Sequence, residues 1–205
     1  GGSRALLSTI IITSWSVRLA GFLFYRILNT KTDGRLSDQF KTPQQTTTFW
    51  VASGLWGWIC LIPHSVLCFS QPSVALGPFG FFAAALAVSG LVVETVADQQ
   101  KWAFKQTPES KTSFCQTGLW KYSRHPNYCG ELTVWTGLFL LSAPALSLPY
   151  LLLCAASPAF ITLLLTKVSG IPIAEERMDS RFASDADYQK YKAATPVLFP
   201  VPFAK

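Results

Sequence analysis

Charged residues are scarce in this sequence. Only 14% of the 205 residues are Asp, Glu, Lys or Arg, whereas soluble domains carry about 25%. No such residue occurs from Thr42 to Val93 or from Leu132 to Thr166. Folding alone does not keep stretches of this length away from water, and a helix needs roughly 20 mostly apolar residues to cross the hydrocarbon core of a bilayer. The scarcity therefore excludes an ordinary soluble domain and predicts membrane helices.

Other absences exclude further classes of protein. The five cysteines are scattered without a CxxC spacing, so the sequence predicts neither a metal site nor a disulfide framework. The net charge of +6 contains no run of consecutive Lys or Arg, which argues against a nucleic-acid partner. The chain has no initiating Met and no signal peptide with a cleavage site. We therefore expect the natural N-terminus to be processed or to lie elsewhere.

The apolar runs predict an all-α, polytopic integral membrane protein with a short amphipathic C-terminal helical tail. We treat it as one membrane domain with about five transmembrane helices. The predicted helices cover about 5–28, 48–69, 75–104, 126–143 and 148–169, and the tail covers 170–205. Within the tail, Ser184 followed by Asp187 approximates a capping box and predicts a helix start.

The distribution of charge predicts an orientation. Five spans place the loops 26–47 and 94–125 on the same side of the bilayer as the tail. Of the 17 Lys and Arg residues, all but Arg4 and Arg18 fall on this side or at its border, as do all 11 acidic residues. By the positive-inside rule, this side faces the cytosol or the equivalent compartment of an organelle. Because acidic residues also crowd there, we predict a polar site rather than simple anchoring.

The segment before the fourth predicted helix has the most informative spacing. Arg124, Asn127, Tyr128 and Glu131 follow the i, i+3, i+4, i+7 pattern of one helix face. Free N–H groups at a helix start, next to Arg124 and His125, would form a pocket for a phosphate or carboxylate. The alternative is an interfacial anchor, in which aromatic rings lie at the headgroups and basic side chains extend towards water.

Two further features have both a functional and a structural interpretation. At the end of the third predicted helix, four charged residues lie on one face: Glu94, Asp98, Lys101 and Lys105. This stripe is either part of a polar site or a solvated helix end with ion pairs. His64 lies alone in the second predicted helix. We predict that it makes an interhelical hydrogen bond rather than serving as a ligand or base.

Three ordered blocks of sequence carry a family resemblance. They read GLWKYSRHPNYCGE from Gly118, GIPIAEERM from Gly170 with YQKY from Tyr188, and WSVRLA from Trp15 with DGR from Asp33. The chain resembles the membrane superfamily of steroid 5α-reductases and isoprenylcysteine methyltransferases. It is most similar to the uncharacterised branch that carries a 5α-reductase C-terminal domain.

The resemblance implies a set of cofactor-binding residues. In the reductases, an acidic residue at the end of the corresponding helix, an Asn and a tail Tyr contact a nicotinamide cofactor, and these match Asp98, Asn127 and Tyr188. Arg181 is implied as a phosphate contact. The full expected cofactor-binding set is Asp98, Lys105, Arg124, His125, Asn127, Tyr128, Glu131, Arg181 and Tyr188.

The resemblance also implies an activity, an NADPH-dependent reduction of a double bond in a lipid-like substrate. Family members carry further N-terminal helices that supply the groups engaging the substrate, so this sequence identifies no catalytic residues. Two alternatives stay open: an S-adenosylmethionine-dependent membrane methyltransferase, and a non-catalytic reductase-like subunit of a larger membrane complex. The expected partners are membrane lipids, a lipid-like substrate and other membrane subunits, and the expected location is the endoplasmic reticulum or an organellar membrane.

Overall fold

The computed structural model describes residues 2–30, 40–70 and 74–199, apart from the Ser70 side chain. The sequence block at 33–35, the turn at 71–73 and residues 200–205 lie outside this range. The described residues form seven α-helices, short 3₁₀ turns and one π-helical turn, with no strand among them. The helices are α1 Gly2–Thr30, α2 Pro43–Ser70, α3 Gly77–Lys105, α4 Pro126–Ser142, α5 Leu148–Leu163, α6 Ile171–Phe182 and α7 Ala186–Ala194.

The predicted all-helical, multi-pass architecture is confirmed. Four stretches are long and apolar enough to cross a membrane: α1, α2, α3 and the stretch Leu148–Phe182 that includes α5. The remaining apolar helix, α4, has 17 residues, slightly fewer than the roughly 20 that a crossing needs. Compared with the prediction, α2 begins earlier, at Pro43.

The contacts divide the chain into two compact units. The first unit comprises Gly1–Ala84 and Leu138–Ser157, and the second comprises Ala85–Gly137 and Pro158–Lys205. The boundaries fall within α3, α4 and α5, so each of these helices contributes residues to both units.

Polar groups organise the first unit. The buried face of α1 consists of Arg4, Ser8, Ile11 and Trp15. The Arg4 guanidinium donates hydrogen bonds to the carbonyl of Leu141, at 2.7 Å, and to those of Ala75 and Leu76 before α3. The last four carbonyls of a helix have no partner within it, and Arg4 satisfies one of them at the end of α4.

A second interhelical contact in this unit involves His64. Its Nδ1 lies 3.0 Å from the hydroxyl oxygen of Ser8 on α1, so the prediction of an interhelical hydrogen bond is confirmed. The buried Ser157 hydroxyl, on α5, donates to the Cys60 carbonyl on α2 at 2.9 Å. Such bonds compensate for placing polar groups between apolar helices.

In the second unit, α3 and α4 touch through their backbones. A Cβ atom added to Gly90 would lie 2.6 Å from the carbonyl oxygen of Gly130, and one added to Gly130 would lie 2.6 Å from the Glu94 nitrogen. Further along, a Cβ on Gly137 would lie 2.6 Å from the Ala87 nitrogen. Small residues permit this approach, which fixes the start of α4 against the polar end of α3.

The tail folds as two helices around an aromatic cluster. Phe114, Phe182 and Tyr188 are buried together, and Met178 and Tyr191 pack against them. A π-helical turn, Leu164–Val168, leads from α5 towards α6.

The predicted helix start in the tail is wrong by one residue. The cap of α7 is Asp185 rather than Ser184, because its carboxylate accepts hydrogen bonds from the backbone N–H groups of Asp187 and Tyr188. Asp and Ser are equally good caps, so the local sequence did not distinguish them.

Candidate functional site

The loop before α4 is fixed by the end of the chain. The backbone N–H of Arg124 donates to the Pro196 carbonyl at 2.9 Å, and that of His125 donates to the Val197 carbonyl at 3.1 Å. The Tyr191 hydroxyl donates to the Trp120 carbonyl at 2.6 Å. The backbone N–H groups of Arg124 and His125 are therefore occupied.

Glu175 on α6 is the centre of the site. One carboxylate oxygen accepts from the Arg124 guanidinium, and the other lies 2.7 Å from His125 Nε2. The side chains of Arg124, Glu175 and His125 are 13%, 19% and 5% exposed. Because hydrogen bonds to ionised groups are strengthened where water is excluded, this trio forms a firm junction between the loop and α6.

The surroundings of His125 favour its neutral form. Burial lowers the pKa of His125 below its usual 6.5, against the opposing influence of the Glu175 carboxylate, and the positive charges of Lys101 and Arg124 lower it further. A neutral His125 that carries its proton on Nε2 would donate to Glu175. Its ring also stacks on Tyr128, with 5.4 Å between the centroids.

A second ion pair lies beside the first. The Lys192 ammonium on α7 donates to both oxygens of Asp179 on α6, at 2.5 and 2.7 Å. The Tyr188 hydroxyl donates to the same carboxylate at 2.8 Å. The Lys192 nitrogen also lies 4.0 Å from Glu175, so the two carboxylates of α6 share one cation.

Two buried polar atoms at the start of α4 have no hydrogen-bond partner among the described residues. They are the Asn127 side-chain oxygen and the Arg124 Nε. One is an acceptor and the other carries a donor hydrogen. Leaving such an atom buried and unpaired costs about 1–3 kcal/mol, so each atom would gain from a ligand group: an acceptor for Arg124 Nε and a donor for the Asn127 oxygen.

Helix α3 brings further charges to this end of the unit. The charges of Asp98 and Glu131 both act on the Tyr128 hydroxyl. Lys101 places its ammonium 4.1 Å from the centroid of the buried Trp120 ring, a cation–π contact. The structure thus brings Asp98, Arg124, His125, Asn127, Tyr128 and Glu131 to one end of the unit, and Lys105 is exposed at the end of α3.

Two members of the expected set have other contacts. Arg181 donates to the carbonyls of Ser110 and Lys111, at 2.9 and 2.7 Å, and stacks on Phe182. Tyr188 is 2% exposed within the aromatic cluster. Burial and the bond to Asp179 raise the pKa of Tyr188 well above its usual value, so its hydroxyl stays a donor. Both residues hold the tail together in the described chain.

The expected cofactor set omitted Glu175, Asp179 and Lys192. Glu175 and Asp179 are four residues apart on α6, as Tyr188 and Lys192 are on α7. This spacing places each pair on one helix face, and it could have drawn attention to these residues. Spacing within a helix does not show that the face of α6 meets the face of α7.

Comparison with known proteins gives a family. The profile of a family described as protein of unknown function (DUF1295) matches residues 2–195. An uncharacterised protein of Schizosaccharomyces pombe is 30% identical over 89 residues, which cover 35% of this chain and 26% of that protein. The match thus spans about a quarter of this relative. No solved structure matches significantly.

Proposed function

The chain belongs to the DUF1295 family, which includes steroid 5α-reductase-like proteins, and on that premise we propose that it is a membrane oxidoreductase. The proposed reaction is the NADPH-dependent reduction of a double bond in a lipid-like substrate, as in the steroid 5α-reductase superfamily. A substrate of this class would reach the protein from the bilayer, which fits a chain with four stretches able to cross a membrane.

The unpaired atoms of Asn127 and Arg124 are the observation that carries this proposal. A nicotinamide ring bears a primary carboxamide, which offers an acceptor oxygen and a donor NH₂. These complement the Arg124 Nε–H and the Asn127 oxygen. A ligand of this kind would remove the cost of leaving both atoms unpaired.

The charges around the two atoms suit the rest of a dinucleotide. Arg124 and Lys101 bring positive charge to the His125 ring, and phosphate groups favour such an environment. Asp98, His125, Tyr128 and Glu131 would complete the cofactor site from α3, the loop and α4. When bound, NADPH supplies a hydride to the substrate, and this chain's own residues hold and orient the cofactor.

The charge count supports a proposed location. The basic residues gather on one side of the predicted topology, which is also the side of the site. By the positive-inside rule, that side is the cytosolic side of the endoplasmic reticulum or the equivalent side of an organellar membrane. The partners would be membrane lipids, the lipid-like substrate and other membrane subunits.

A ligand-dependent stability measurement tests the proposal. The chain, reconstituted in lipid nanodiscs, is heated with and without NADPH. Binding to the folded state at 100 times the dissociation constant stabilises it by about 2.7 kcal/mol, so the melting temperature should rise. Asn127→Ala should weaken NADPH binding about tenfold without lowering the stability of the free protein, since its oxygen has no partner in the described chain.

Asn29→Ala is the matched control, because Asn29 is exposed and bonds only locally to the Tyr25 carbonyl in the described contacts. Asp98→Ala should also weaken NADPH binding. Unchanged affinity in both Asn127→Ala and Asp98→Ala would refute the assigned site.

S-adenosylmethionine is the second ligand to test. Its amino-acid end also offers a donor and an acceptor, so the same unpaired atoms accommodate it. Stabilisation by S-adenosylmethionine and not by NADPH would favour a methyltransferase. Stabilisation by neither ligand, with stable co-purification of other membrane proteins, would favour a non-catalytic subunit.

A further inference from the structure

The ion pairs of Glu175 and Asp179 are joined through one lysine. Asp179 holds the Lys192 ammonium at 2.5 Å, and the same nitrogen lies 4.0 Å from the nearer oxygen of Glu175. That carboxylate in turn contacts His125 Nε2 at 2.7 Å. A line of charges thus runs from Asp179, whose side chain is 44% exposed, to His125, at 5%.

The charged and titratable groups around His125 come from every element packed on it. Arg124 lies on the same loop as His125, Tyr128 lies on α4, Lys101 on α3 and Glu175 on α6. Among them, the Glu175 carboxylate is the group that favours a proton on His125. Any change that neutralises the Glu175 charge therefore lowers the affinity of His125 for a proton.

We propose that Lys192 and Asp179 are positioning residues that act through Glu175 on His125. In this scheme, they decide whether the site presents His125 to a bound nucleotide as a neutral hydrogen-bonding group or as a second cation beside Arg124. The inference rests on the proposed function for its role in nucleotide binding, and on the described contacts for the coupling itself.

The two residues act in opposite directions. Lys192 lies close enough to offset part of the Glu175 charge, so its removal strengthens the attraction between Glu175 and a proton on His125. Asp179 holds Lys192 at a shorter distance than Glu175 does. Removal of the Asp179 charge releases the ammonium towards Glu175 and weakens that attraction. A lysine stem is flexible enough to make this movement.

The titration of His125 can be measured without a substrate. Deuterium exchange at the imidazole C2 carbon, followed by mass spectrometry across pH 5 to 9, gives a midpoint for each histidine of the full chain in nanodiscs. The chain has two histidines, so His64 serves as an internal reference. Lys192→Met should raise the His125 midpoint by about 0.5 pH unit or more, and Asp179→Asn should lower it by a similar amount.

Matched variants separate contact from general charge effects. Lys190→Met and Asp187→Asn make the same charge changes at exposed positions on α7 and should leave the midpoint within about 0.2 pH unit. Lys192→Arg keeps the charge and should restore a midpoint near that of the wild type. Unchanged His64 exchange shows that each variant is folded.

The coupling is overturned if both substitutions match their controls, or if both shift His125 in the same direction. A wild-type protein that gains no stability from NADPH would count against the proposed function, while the opposite shifts of His125 would still stand. Conversely, NADPH stabilisation with an unmoved His125 midpoint would refute only this inference.

Discussion

A single neutral histidine makes the site sensitive to acid. Because burial lowers the pKa of His125 below 6.5, the unfolded chain takes up a proton near that pH while the folded chain does not. The contribution of His125 to stability is therefore present above pH 6.5 and is lost as the pH falls below it, by up to about 1.4 kcal/mol for each unit of difference.

We expect the melting temperature in nanodiscs to fall between pH 7.5 and 5.5, and to fall less in His125→Gln. Glutamine keeps an N–H that can donate to Glu175 and does not titrate. Parallel decreases in the two proteins would show that His125 does not carry this dependence.

Removing the Tyr188 hydroxyl tests whether Tyr188 stabilises the tail or contacts the cofactor. Its bond to Asp179, at 2.8 Å, is lost in Tyr188→Phe, at a cost of about 1 kcal/mol. We expect a melting temperature lower by roughly 2–4 °C and an NADPH affinity changed by less than about twofold. Tyr122→Phe, at an exposed position, is the control. A tenfold loss of NADPH affinity with unchanged stability would instead support Tyr188 as a cofactor contact.

At the scale of residues, spacing along the sequence predicts which side chains share a helix face. Asn127, Tyr128 and Glu131 lie on one α4 face because their spacing alone requires it. The partner of Arg124 and His125 is Glu175, about 50 positions away. Spacing carries no information about which of several carboxylates at such a separation meets the loop, so Glu175 could not be selected.

Among the elements, the contact between α3 and α4 depends on glycine. In Gly90→Ala, the added methyl group meets backbone atoms of α4 at 2.6 and 2.7 Å, so the helices must separate. We expect a loss of about 1–3 kcal/mol, measured by thermal or denaturant unfolding in detergent. Gly54→Ala in α2, where nothing lies within 4 Å, should be neutral or slightly stabilising through helix propensity. Equal effects of the two substitutions would contradict a close helix contact.

The helices themselves were largely predictable, because uncharged runs of this length form membrane helices. The residues at which the helices begin were harder to predict. The extension of α2 back to Pro43 crosses the polar residues Gln44 and Gln45, which hydropathy assigned to a loop. The cap at Asp185 also depends on where the chain turns after α6.

For the whole molecule, the testable property is its orientation. A cysteine at the exposed position of Lys190 should react with a membrane-impermeant maleimide in sealed microsomes, whose outer surface is cytosolic, because the basic side of a membrane protein is retained in the cytosol. The parent chain, with its five cysteines, gives the background. Labelling only after the membrane is opened with detergent would reverse the orientation.

The hydrogen bonds from Arg124 and His125 to the carbonyls of Pro196 and Val197 also set an order of events during synthesis. A ribosome delivers the N-terminal part of the chain first, so every apolar helix described can leave it before these carbonyls exist. The loop that bears Arg124 then waits until residues 196 and 197 have been made. A nascent chain stopped before residue 196 would contain every described helix and yet lack the backbone partners of its own site.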